Sequence, residues 1–161
     1  VIVSLDPGTK HAGIAVWEDD ELTAAWLVRG TGWLATAQQV LLDLEDRFPA
    51  CILVEFDLVM EKPQIYHQAK QKGEQASLIE LALMVGAVAG MSRLHPRRVT
   101  TYQPAAWKRQ IPKNVMVERV RSRLMSEECE RVVLPAKSLQ HNVWDAIGIG
   151  LHHLKRRTTT T

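Results

Sequence analysis

The chain has 161 residues, 46% hydrophobic and 24% charged, a balance that fits one globular domain with a sizeable core and leaves too little for two. Its two cysteines, Cys51 and Cys129, stand far apart without CxxC spacing, and no basic-then-apolar leader opens the sequence. A disulfide framework is therefore not expected, and a reduced, cytoplasmic setting is.

The net charge of +2 conceals an asymmetry. Residues 1–61 hold eleven acids against three Lys or Arg, whereas residues 62–161 hold seven acids against seventeen bases. Within residues 93–123 nine bases accompany a single acid, Glu118. Solvated helices usually mix signs, so a one-sign stretch of this length favours a polyanionic partner, nucleic acid foremost.

In chain order, VIVSLD at 1–6 and HAGIAVW at 11–17 flank the turn Pro7-Gly8 and read as strands. Residues 21–29 predict a third strand in an antiparallel meander. From 33 to 48 the period changes: Leu34, Ala37, Val40, Leu41, Leu44 and Phe48 recur at helical steps. The apolar run ACILVEF at 50–56 closes on an acid and predicts a buried strand, parallel to the first after a helical crossover. Residues 57–70 lack a period, contain Pro63 and read as a loop.

A long helix is expected over 71–94, stopped by His95-Pro96. Its segment LIELALMVGAVAGM, 78–91, carries one charge, Glu80, but has 14 residues where a membrane span needs about 20. A core or subunit-interface helix is the better reading. RRVTTY at 97–102 predicts a fifth strand, PAAWKR a short helical piece, and 113–126 and 140–155 two further helices. One domain over 1–157 with a frayed tail at 158–161 is expected. The order β-β-β-α-β-α-β-α-α predicts an α/β protein with a five-stranded mixed sheet and helices on both faces, the organisation of the ribonuclease H-like fold.

In such a sheet the first and fourth strands are parallel neighbours, which sets Asp6 beside Glu55. Two adjacent carboxylates repel unless a cation separates them. Two oxygen-ligated Mg²⁺ ions about 4 Å apart answer that problem and support phosphodiester hydrolysis. A third acid comes from HNVWDAIGIGLHHL, 141–154, where Asp145 follows His141 and Asn142 at helical spacing. Gly148 and Gly150 weaken a helix interior by about 1 kcal/mol each, which makes sense if this helix must approach the sheet closely.

SLDPGTKHAGIAVW, ILVEF and HNVWDAIGIGLHH, in that order and spacing, resemble the three acidic motifs of RuvC-type Holliday junction resolvases. TYQPAAWKRQIPK, 101–113, is similar to the strand and basic loop of phage-encoded members. The resemblance implies a metal-dependent endonuclease of DNA recombination and repair, acting on four-way junctions in a bacterial or phage-infected cell. It implies that Asp6, Glu55 and Asp145 hold two Mg²⁺, for which Mn²⁺ substitutes. The family's fourth ligand, an aspartate or histidine, falls on Asn142, with His141 as the alternative. Lys108 and Lys113 match the basic residues near the scissile phosphate. The junction-wedging aromatic of the family falls on Leu58, with Phe56 or Tyr66 as stand-ins. Lys62, Lys70, Lys72, Arg109 and Arg119 are further expected DNA contacts. The helix at 78–91 matches the family's dimer helix and implies a homodimer.

Blander readings stand beside these. Asp6 before Pro-Gly is a common turn residue, and Asn142 with Asp145 also reads as a helix N-cap followed by an acid in the first turn. Another ribonuclease H-like nuclease, acting in RNA processing or transposition, and a junction-binding protein with weak catalysis remain open. An actin-like ATPase needs phosphate and adenosine loops for which nine glycines in 161 residues leave no room.

Overall fold

The computed structural model describes residues 1–49, 55–64, 72–90, 96–109 and 111–156. These build a five-stranded sheet in the order β3-β2-β1-β4-β5, from β1 (Ile2–Asp6), β2 (His11–Glu18), β3 (Glu21–Arg29), β4 (Phe56–Glu61) and β5 (Pro96–Tyr102). Short turns make β1–β3 an antiparallel meander, whereas β4 pairs in parallel with both β1 and β5. The fold class expected from the order of elements is the one found.

Period-two alternation sorts the strand residues onto two faces. Val3, Leu5, Phe56, Leu58 and Met60 form one core with residues of α1 (Trp33–Arg47) and α2 (Lys72–Gly90), among them Val40, Leu44, Met84 and Val88. Ala15, Trp17 and Val59 belong to the other. That second core is filled from α3 (Pro104–Trp107), α4 (Lys113–Arg121) and α6 (Gln140–His153). No helix among the described residues is long and apolar enough to cross a membrane.

The fourth strand departs from expectation. It begins at Phe56, so the predicted loop at 57–61 is its body, and residues 50–54 lie outside the described residues. Asp57 disguised it, because an acid inside an apolar run argues against a central strand. Its carboxylate accepts bonds from Arg97 Nε at 3.1 Å and Nη2 at 3.0 Å. That bonding outweighs burial and holds the Asp57 carboxyl below its ordinary range. Phe56 and Leu58, expected on DNA, are each only 2% exposed within the core and cannot reach a nucleic acid.

The helix expected over 113–126 also divides. It ends at Arg121, and a separate helix α5 (Ser126–Glu130) follows. Fully buried Glu128 anchors α5: it accepts from the Leu22 and Met125 amides, each at 2.8 Å, and from Arg156 Nη1 and Nη2 at 2.6 and 2.7 Å.

Close backbone contact seats α6 on the sheet. A Cβ at Gly13 of β2 would collide with the Asn142 carbonyl, and one at Gly150 would collide with the Trp17 indole. That indole donates to Ser4 Oγ at 2.9 Å beneath the helix. Because Gly13 is the β2 partner of Asp6, this packing brings the start of α6 to the strand pair that ends in Asp6.

Candidate metal centre

Leu5 pairs with Met60, so the next residues, Asp6 and Glu61, leave β1 and β4 at the same edge. Both follow the alternation that faces α6. Glu55 precedes β4 at its other end, and six residues of strand separate it from Glu61 by about 20 Å. Its charge acts on Arg97. The acid that the structure sets beside Asp6 is therefore Glu61, a correction to Glu55.

Helix α6 delivers the third carboxylate. Lys108 Nζ lies 2.9 Å from Glu61 Oε2 and 3.4 Å from Asp145 Oδ2. Burial pushes the Lys108 ammonium toward neutrality, but Asp145, Glu61 and Asp6 outweigh it and hold its pKa above the ordinary value. One lysine thus bridges Glu61 and Asp145 and also feels the charge of Asp6. Trp107, at the end of α3, donates its indole N–H to the same Glu61 Oε2 at 2.9 Å.

Asn142 is not the helix cap. The cap residue is Leu139, and Asn142 sits in the first turn with Nδ2 donating to the Leu139 carbonyl at 3.3 Å. His141 lies one residue earlier, half-buried, and shares a helical face with Asp145 four positions on. Lys62, directly after Glu61, is exposed, as is Arg109, whose backbone is left-handed at φ 53°. Arg119 is half-buried on α4. Tyr66 and Lys70 lie outside the described residues. Lys72 and Lys113 open α2 and α4, and the description of those two residues stops at their backbone.

Glu61 and the support from Trp107 were not expected from sequence. The signal for Glu61 was present: LVME at 58–61 repeats the pattern of ILVE at 52–55, an apolar run closing on glutamate. Register against β1 is what distinguishes the two.

The donor set suits a hard divalent cation, since carboxylate oxygens dominate it. Among the described residues no three His, Cys, Asp or Glu groups stand close enough to form a ready metal cage. The Lys108 ammonium is the cation that stands between Glu61 and Asp145, and its position shows that the site accommodates positive charge there.

The five-stranded mixed sheet with helices on both faces is a fold shared with solved Holliday junction resolvases. The chain is similar to Thermus thermophilus RuvC in complex with a Holliday junction substrate, at 18% identity and TM-score 0.58, over 95% of this chain and 91% of that one. It is similar to the fowlpox virus resolvase, solved with Holliday junction DNA, at 16% identity and TM-score 0.54, over 96% and 99%. The yeast mitochondrial Holliday junction resolvase Ydc2 follows at 11% identity and TM-score 0.50, over 94% and 77%. No protein-family model matches the sequence, and no curated protein matches it.

Proposed function

We infer that this protein is a metal-dependent endonuclease that resolves four-way DNA junctions, working in the cytoplasm of a bacterial or phage-infected cell. The observation that carries the reading is the pairing of Lys108 with both Glu61 and Asp145 at the sheet edge where β1 ends in Asp6. The likeness to resolvases solved with junction DNA supports the choice of substrate.

Asp6, Glu61 and Asp145 would hold the metal, two Mg²⁺ or Mn²⁺ ions, with Asn142 or His141 beside them. Bound there, a divalent ion supplies Lewis acidity toward the phosphodiester and its attacking water. Trp107 fixes the Glu61 carboxylate. Lys108, Lys113, Lys62 and Arg109 hold phosphate, and Arg119 belongs to the basic surface that binds the arms. Cleavage of a labelled four-way junction in Mn²⁺ tests the reading. Wild type should nick opposing strands symmetrically, and Asp145→Asn should still bind the junction without cutting it. Equal cleavage of linear duplex, or of an RNA–DNA hybrid, would point to a different nuclease.

The exposed apolar side of α2 supports a homodimer. Met84 and Val88 are buried, while Ile79 and Leu83, one turn apart, are 61% and 47% exposed, and a Cβ at Gly86 would meet open space. That leaves an apolar stripe facing away from the core. A two-fold dimer along it would present one site to each of two symmetry-related strands. Sedimentation should give a dimer for wild type and a monomer for Ile79→Glu/Leu83→Glu. A monomeric wild type would remove this part of the reading.

A further inference from the structure

Glu61 Oε2 takes donors from two consecutive residues, the Trp107 indole and the Lys108 ammonium, both at 2.9 Å. The two are held very differently. Trp107 is buried, and its ring lies under α6 so tightly that a Cβ at Gly148 would stand 2.7 Å from it. It cannot leave Glu61 without unpacking the core. Lys108 caps the four-residue helix α3 and is followed by Arg109 in left-handed backbone. Its ammonium reaches across the Trp107 ring, 4.8 Å from the centroid, on a flexible four-carbon stem. One donor is fixed and the other can move.

We propose that Lys108 is a built-in counter-ion that holds Glu61 and Asp145 together in the metal-free protein and must withdraw from them when a divalent metal enters. The proposal rests on the reading of these acids as metal ligands. Three carboxylates gathered at one edge repel one another, and a cation among them relieves that repulsion. A single positive charge and a divalent ion at contact distance oppose each other strongly in a partly buried site. The lysine and the metal therefore compete for the same two carboxylates. Apparent metal affinity is the intrinsic affinity multiplied by the fraction of molecules in which Lys108 has left the site. Loading releases the ammonium beside the ions, where a phosphate of the substrate can take it, while Trp107 keeps Glu61 oriented throughout. Metal entry and readiness to grip phosphate thus become one event.

Calorimetric titration of Mn²⁺ without DNA reads the competition directly, on wild type, Lys108→Met and Lys108→Gln. Both variants should bind Mn²⁺ about tenfold more tightly than wild type, the equivalent of removing ~1.4 kcal/mol of opposition. Adding Asp145→Asn to Lys108→Met should abolish the gain. Mn²⁺ binding to wild type with equal or weaker binding to both variants overturns the counter-ion role and leaves the metal site standing. Absence of Mn²⁺ binding in every form overturns the metal site and the proposal together. A second readout needs no variant: reductive methylation of wild type, mapped by peptide mass, should modify Lys108 several-fold faster with Mg²⁺ present. An unchanged rate would refute its withdrawal.

Discussion

Glu61→Gln should lower junction cleavage in Mn²⁺ by about 10²–10³-fold, the loss of several kcal/mol of charge stabilisation, whereas Glu55→Gln should change it by no more than about twofold. The contrast isolates register from composition. Both glutamates end an apolar run, yet only Glu61 emerges beside Asp6, and only Glu61 shares Lys108 with Asp145. Substitution by glutamine keeps the shape and the acceptor for the Trp107 indole, so folding should survive and a melting curve should stay near wild type. Single-turnover cleavage of a saturating junction is the appropriate measurement, because it separates chemistry from DNA affinity. A full loss in Glu55→Gln with an active Glu61→Gln would reverse the assignment.

Glu128→Ala is the substitution expected to cost most stability, about 3–5 kcal/mol, since removing one partner of a buried ion pair leaves the other charge uncompensated. The Arg156 guanidinium would lose both of its bonds to the carboxylate, and the amides of Leu22 and Met125 would lose their acceptor. These contacts tie α5, β3 and the end of α6 into one unit, so the effect should appear as a lower urea midpoint with an unchanged slope. Glu128→Gln, which keeps the side chain's shape and one acceptor, should lose less.

The same carboxylate gives stability a pH dependence. Burial opposes ionisation of Glu128, but the bonds from Arg156, Leu22 and Met125 outweigh it and leave the folded pKa below the ordinary carboxylate range. A depressed carboxylate pKa stabilises the fold fully above the unfolded-state value, and that contribution is lost as pH falls through the folded one. Wild type should therefore lose stability steeply in acid, and Glu128→Gln should show a flatter profile there. Equal acid slopes would show that Glu128 is not the group responsible.

Much of the architecture was legible from local pattern. The meander, α1, the long apolar helix and the final helix with Asp145 follow from two- and 3.6-residue periods, turn residues and prolines, all set by neighbours in sequence. Asp6 was legible because a strand-end acid before Pro-Gly needs no distant partner to be noticed. Gly150 and Gly148 announced a close helix–sheet approach; Gly150 makes it, against Trp17 of β2, whereas Gly148 packs against Trp107 of α3 and Val120 of α4. Gly13, which admits the Asn142 backbone beside Asp6, gave no local sign, since its constraint comes from a helix 129 positions away.

Tertiary structure alone decided which segment became the fourth strand. Locally, ILVEF looks the better strand, because Asp57 interrupts the next run. FDLVME is a strand because Arg97 of β5 neutralises Asp57, and because Phe56, Leu58 and Met60 then bury against Met84 and Val88. Those gains come from contacts across tens of residues, and a one-sequence reading of period cannot weigh them. A slip of six residues keeps every side chain on its face, so the error was invisible to alternation and yet moved the second acid from one edge of the sheet to the other.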